Sequence, residues 1–284
     1  MDLLTEVLPT NFMYKLSIIT INKNNANGLE KTIQSVINQT YFNQIEYIII
    51  DGLSTDSSSN IIYKYKDYFS YWISEEDNGI YDAMNKGTKA ATGEYLLYLN
   101  SGDVLQRNNV IQEVYSKLNT YDIVYGGVEY DGEKSMRIAR EKLDFLYFST
   151  RRSIFHQGAF ISRKLLTELP YDTSYRLMGD VNFFFNAICV KKATYKRILT
   201  KIAIFDTTGI SSREVYTKEK EKTKILLNGV KYIEDEETNS IFLKNMNVYN
   251  RLINQLPIDF VFPYVEILIK IGLTSIKIIV SVMI

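Results

Sequence analysis

Cysteine and histidine are nearly absent from this chain. Cys189 and His156 are the single representatives of each among 284 residues. One cysteine cannot close an intrachain disulfide, which points to a reducing compartment. One histidine with one cysteine cannot build a closed His/Cys zinc site, so any metal must rest mainly on oxygen ligands. Neither sign of charge is in excess: Lys+Arg and Asp+Glu both total 33. That balance argues against bulk nucleic-acid binding, which needs a basic surface. Only four prolines and 14 glycines stand against 46% hydrophobic residues, which excludes collagen-like, low-complexity and disordered chains. Three nucleotide or hydrolase motifs are missing as well. No G-x-G-x-x-G follows the first strand-like run, no G-x-x-x-x-G-K-[ST] occurs, and there is no G-x-S-x-G. A dinucleotide dehydrogenase, a P-loop ATPase and an elbow-type hydrolase are therefore disfavoured. The first residues, MDLLTEVLPTNFMYK, are partly acidic and lack a basic start followed by an apolar stretch, so they do not read as a signal peptide.

What is present is an alternation of strand and helix signals over the first 125 residues. Leu16–Ile21 and Tyr47–Ile50 are short β-branched runs, Tyr71–Ser74 is a weaker one, and Tyr95–Leu99 and Ile123–Tyr125 follow. Between them, Gly28–Asn38 and Ile80–Ala91 place apolar residues at helical spacing, and Ser54 to Ser57 offers N-caps ahead of Ile61, Ile62 and Tyr65. Nearly continuous apolar strands between amphipathic helices predict a parallel sheet covered on both faces. In such sheets ligands bind beyond the carboxyl ends of the strands. That rule selects Asn22, Asp51, Glu75 to Asn78, and Asn100 to Asp103, a set rich in carboxylates and amides. With no glycine cradle for phosphates, a divalent cation on a carboxylate is the obvious means of neutralising a nucleotide.

The blocks LSIITINKNN, EYIIIDGLSTDSS, EEDNGIYDAMNKGTKAATGEYLLYLNSGD, FHQGAFISRKLL and RLMGDVNFFFNA resemble the family-2 inverting glycosyltransferases. The likeness is strongest to bacterial enzymes of O-antigen, capsule and colanic-acid-type exopolysaccharide assembly, and it covers roughly residues 13 to 212. It implies an α/β glycosyltransferase-A fold: a Rossmann-like, mostly parallel sheet flanked by helices, with a C-terminal helical extension. The expected division is a catalytic domain over 13–215 and a helical region with an amphipathic, membrane-associating tail over 216–284.

The same resemblance implies roles. Asp103, ending NSGD after a strand, matches the last Asp of a D-x-D-like motif that ligates Mg²⁺ or Mn²⁺ on the donor diphosphate. Asn100 and Ser101 stand where acidic residues are common, so one carboxylate would hold the cation with the diphosphate and waters. The plain alternative is an Asp capping the helix near Val110. Asp51 would accept a hydrogen bond from a uracil N–H, and Thr20 and Asn22 would lie along the nucleoside. Asp77, Tyr81, Asp82 and Asn85 would present one helix face to the donor, with Ser101 beside it. Asp180 would be the general base that takes the acceptor hydroxyl's proton, with Gly179 leaving room for the acceptor. His156 would touch acceptor or donor sugar, Thr207 to Ser212 would form a loop over the donor, and Cys189 would pack in an apolar helix.

The implied reaction moves a hexose or N-acetylhexosamine from a nucleotide sugar, UDP-linked, to a saccharide on a polyprenyl-diphosphate carrier. The expected location is the inner face of the cell membrane, with no nucleic-acid partner. Two other readings stand beside it. One is a nucleotide-sugar-binding protein without transferase activity, which the altered NSGD keeps open. The other is a nucleotidyltransferase, against which the loop from Asn22 to Asn27, with one Lys and no Gly, counts.

Overall fold

The computed structural model describes residues 15–149, 153–209 and 214–229. In chain order the elements are β1 (Leu16–Asn22), α1 (Ala26–Ile37), β2 (Ile45–Asp51), α2 (Ser58–Tyr65), β3 (Tyr71–Ser74), α3 (Ile80–Ala90), β4 (Tyr95–Asn100) and β5 (Val104–Leu105). They continue with α4 (Val110–Tyr115), β6 (Ile123–Tyr130), α5 (Phe145–Ser149), β7 (Ala159–Ser162), α6 (Arg163–Glu168), α7 (Gly179–Phe185), β8 (Tyr195–Phe205) and α8 (Val215–Gly229). The eight strands form one sheet in the order β3-β2-β1-β4-β7-β6-β8-β5.

β1 and β2 are buried along their whole length because helices cover both faces. Alternation then sends successive side chains to opposite layers. Ile19, Ile21, Ile48 and Ile50 join the layer under α3 and α7, whereas Leu16, Ile18, Tyr47 and Ile49 join the layer under α1 and α4. Gly87 lets α3 lie directly on β1: a Cβ there would stand 2.5 Å from Ile19 Cγ2. Met84, beside it, is fully buried.

The sheet is mixed, where the sequence pattern predicts a parallel one. β1 to β4 pair in parallel, but β7 runs antiparallel to both β4 and β6, and β5 runs antiparallel to β8. β6 and β8 are parallel to each other. Two reversals across β7 restore the direction of β4, so β6 and β8 end on the same edge as β1 to β4. The residues just before β7 start on that edge. This is how His156 and Gln157, which precede a strand, come to lie beside Asn100 and Asp103, which follow one. α7 continues into a π-turn at Asn186–Val190, and Cys189 packs against the core there.

Candidate active site

Three strand ends meet first. Pairing sets Asn22 opposite Asp51 and Asp51 opposite Ser74. The Asp51 carboxylate is 1% exposed. Its Oδ1 accepts from Asn22 Nδ2 (2.7 Å) and Ser54 Oγ (2.6 Å), and its Oδ2 from Ser54 N (3.0 Å) and Ser74 Oγ (2.6 Å). An ionised carboxylate has about four acceptor positions, so all are filled. The free acceptor expected for a base edge is not offered, and a nucleobase N–H would have to displace one of the hydroxyls. Asn22 Nδ2 also reaches Ser58 Oγ (2.9 Å), while Asn22 Oδ1 is buried with no hydrogen-bond partner among the described residues. Gly52 makes space for Asp77, since a Cβ there would stand 2.1 Å from Asp77 Oδ2. Asp77 in turn accepts from Gly79 N and lies 3.9 Å from Lys23 Nζ.

Asp103 stands between the end of β4 and the start of β5. It does not cap α4, whose N-cap is Asn109. Its carboxylate is 2% exposed. Oδ1 accepts from Asp206 N (2.9 Å), and Oδ2 from Gln157 Nε2 (3.1 Å) and Asn100 N (3.3 Å). Burial pushes its pKa up to about 6, and hydrogen bonds from Asp206 and Gln157 only partly offset this. The β5–β8 pairing brings Asp206, one residue past β8, over Gly102. At φ +108° Gly102 adopts a backbone disfavoured for other residues, and a Cβ on it would stand 2.4 Å from Asp206 Oδ2. Asp206 is a neighbour of Asp103 that the sequence reading does not name. Among the described residues neither Asp103 nor Asp206 has a Lys or Arg ion-pair partner. Two carboxylates without a cationic side chain suit a hard divalent cation such as Mg²⁺ or Mn²⁺. Ser101 lies in the same turn, its carbonyl accepting from Asn25 Nδ2 (2.9 Å).

Asp180 lies in the first turn of α7. Oδ1 accepts from Val181 N (2.8 Å) and Tyr81 OH (3.2 Å), and Oδ2 lies 2.9 Å from His156 Nδ1. Tyr81 is buried, which holds its phenol protonated as a donor. Gly179 serves Tyr81 rather than an acceptor: a Cβ there would stand 2.7 Å from the Tyr81 ring. The loop before α7 is held from outside the sheet. Glu221 of α8 accepts from the backbone N–H groups of Arg176 (2.6 Å), Leu177 and Met178 (both 2.9 Å).

Three residues expected at the donor are engaged by protein groups. Thr20 is fully buried, its hydroxyl bonded to Tyr47 OH (3.1 Å) inside the helix-covered sheet. Asn85 spends both ends of its amide on the backbone of Tyr171, donating to its carbonyl (2.8 Å) and accepting from its N–H (3.0 Å). Asp82 accepts from Asn78 N (3.0 Å) and faces Lys86, so it braces the turn ahead of α3. Of the loop from Thr207 to Ser212, residues 210–212 lie outside the described residues.

A model of the Glycosyl transferase family 2 matches residues 17–174. An uncharacterized glycosyltransferase of Mycobacterium tuberculosis is 31% identical over 204 residues, covering 69% of this chain and 77% of the relative. The chain belongs to glycosyl transferase family 2. A PGL/p-HBAD biosynthesis glycosyltransferase of Mycobacterium bovis is 29% identical over 214 residues, 73% of this chain and 82% of the relative. Among solved structures, S. aureus TarS in complex with UDP-GlcNAc superposes with a TM-score of 0.61 at 16% identity, over 85% of this chain and 73% of TarS. A mannosyltransferase from Pyrobaculum calidifontis with GDP-Man and Mn²⁺ gives 0.57 at 15%, over 92% and 74%. The fold is thus of the glycosyltransferase-A type, a mostly parallel sheet flanked by helices. The match to the family model stops six residues short of Asp180, and α8 lies wholly beyond it. No helix among the described residues is long and apolar enough to cross a membrane.

Proposed function

We propose that this family-2 glycosyltransferase inverts the anomeric configuration of the sugar it transfers, and that it depends on a divalent cation. In this reading it takes a hexose or N-acetylhexosamine from a nucleoside-diphosphate sugar, UDP-linked, and attaches it to a saccharide hydroxyl. One observation carries the reading: adjacent residues of a single turn hold the two carboxylates the reaction needs. His156 meets Asp180 and Gln157 meets Asp103.

Asp103, with Asp206 beside it, would hold the cation. The cation would stabilise the charge of the departing diphosphate. Asp180 would take the proton of the acceptor hydroxyl as that oxygen forms its bond to the anomeric carbon. The carbon–phosphate-oxygen bond breaks on the opposite face, its electron pair leaving with the nucleoside diphosphate. Asp51 shapes the loop that receives the base, and a base N–H reaches it by displacing the Ser74 hydroxyl.

For the acceptor we propose a saccharide on a polyprenyl-diphosphate carrier, at the inner membrane face, in bacterial surface polysaccharide synthesis. The apolar, lysine-bearing sequence beyond Pro257 supports that choice.

The test is donor hydrolysis and transfer across a panel of UDP- and GDP-sugars with Mg²⁺ or Mn²⁺, in wild type, Asp180→Asn and Asp103→Asn. Asp180→Asn should keep UDP affinity and lose about 10²-fold or more in rate. Asp103→Asn should weaken donor binding, and EDTA should reproduce that in the wild type. Tight UDP binding without turnover of any donor would instead identify a binding protein.

A further inference from the structure

Both ring nitrogens of the chain's single histidine are engaged by protein. His156 Nδ1 lies 2.9 Å from Asp180 Oδ2, and Nε2 lies 3.3 Å from Asn100 Nδ2. An ionised carboxylate only accepts, so the bond to Asp180 requires the proton on Nδ1. A neutral ring then has a lone pair on Nε2, and the Asn100 amide turns its N–H toward it. The counterpart is visible in Asn100 Oδ1, which is buried with no partner among the described residues. An imidazolium would draw that oxygen to Nε2 instead.

The bond also decides which oxygen of Asp180 can work. Oδ1 already accepts from Tyr81 OH and Val181 N, and Oδ2 accepts only from the ring. One acceptor position remains on the carboxylate, and it is on Oδ2. Remove the Nδ1–H and nothing on that side stops the carboxylate from turning about Cβ–Cγ.

We propose that His156, as the neutral Nδ1–H tautomer, is a positioning residue for Asp180. It aims Oδ2 at the acceptor hydroxyl and ties the base to Asn100 at the end of the donor-side strand β4. This rests on the reading of Asp180 as the base. It replaces the expected contact of His156 with a sugar, because neither nitrogen is left for one.

One experiment reads the bond directly. A full chain labelled with ¹⁵N-histidine gives a single imidazole in NMR spectra. At pH 7.5 Nδ1 should appear protonated and Nε2 bare, and Asp180→Asn should shift both. A bare Nδ1, or a doubly protonated ring, overturns the proposal without reference to any variant.

A second experiment reads its consequence. The amide nitrogen of His156→Asn takes the place of Nδ1, and that of His156→Gln the place of Nε2. With donor KM and Tm similar in the two, kcat of His156→Gln should lie at least about tenfold below that of His156→Asn, since small displacements of a reacting group cost rate steeply. Equal kcat values overturn the positioning role while Asp180→Asn is inactive. Full activity of Asp180→Asn would overturn the base reading itself.

Discussion

Burial raises the pKa of Asp103 from the ordinary 3.8 to about 6, so the folded chain binds that proton more tightly than the unfolded one. The stability contributed by the proton is present below about pH 3.8 and is lost as pH rises through about 6. At roughly 1.4 kcal/mol per pH unit the loss is about 3 kcal/mol at most. A cation on the carboxylate competes with the proton. Mn²⁺ should therefore raise Tm strongly at pH 7.5 and hardly at pH 5, and Asp103→Asn should abolish the response. An equal Mn²⁺ response at both pH values would place the cation elsewhere. Gly179 makes a second residue-scale case. Its substitution to Ala drives a Cβ into the buried Tyr81 ring, 2.7 Å away. Overpacking of this kind costs about 1–3 kcal/mol, and the ring can yield only by withdrawing its hydroxyl from Asp180. Thermal melts should show the stability loss, and kcat should fall more than donor affinity does.

At the scale of elements, β1, β2 and β4 were legible because a strand buried on both faces is nearly continuously apolar, as LSIITI, YIII and YLLYL are. β8 was not. Lys196, Arg197, Thr200 and Lys201 interrupt its apolar residues, and the apolar Leu199 is 76% exposed, so no single period marks it. β7 is four residues long and gains its place only by pairing with β4 and β6. With those strands hidden, the site was half legible. Asp103 and Asp180 could be found within their own blocks. Asp206 matters only because β5 pairs with β8, about a hundred residues along the chain, and no local pattern announces that. Nor does any local pattern announce the partners of Thr20 and Asn85, which are Tyr47, 27 residues on, and Tyr171, 86 residues on. The α8 brace was equally invisible, and it carries its own prediction. Glu221 supplies the acceptors for three consecutive amides before α7. An unsatisfied donor costs about 1–3 kcal/mol when buried. Glu221→Ala should therefore speed hydrogen exchange at Arg176 to Met178 while leaving β1 and β4 protected, and it should lower kcat through Asp180. Exchange unchanged at these amides would remove α8 from the account of the site.

For the whole molecule, the proposed lipid-linked acceptor would have to meet the catalytic sheet at a membrane, and the sequence beyond α8 bears on that proposal. These residues, including Tyr264 to Ile284, lie outside the described residues. The stretch is about long enough for a membrane span, yet Glu266, Lys270 and Lys277 interrupt it, and charges at a bilayer's centre are costly. Glu266, Lys270, Thr274, Lys277 and Ser281 follow one another at helical intervals and would form a narrow polar stripe on a helix. Opposite it would stand Val265, Leu268, Ile276 and Ile279. A helix of that pattern would suit the membrane interface, with its lysines among the headgroups. Truncation after Asn254 keeps β1 through α8 and removes the stripe. The shortened protein should no longer float with anionic liposomes and should lose transfer to a long-chain lipid acceptor, yet hydrolyse the donor at the wild-type rate. Liposome binding unchanged by truncation would sink the interfacial helix. Loss of donor hydrolysis together with a lowered Tm would show instead that the tail packs on the catalytic sheet or on a second copy of the chain.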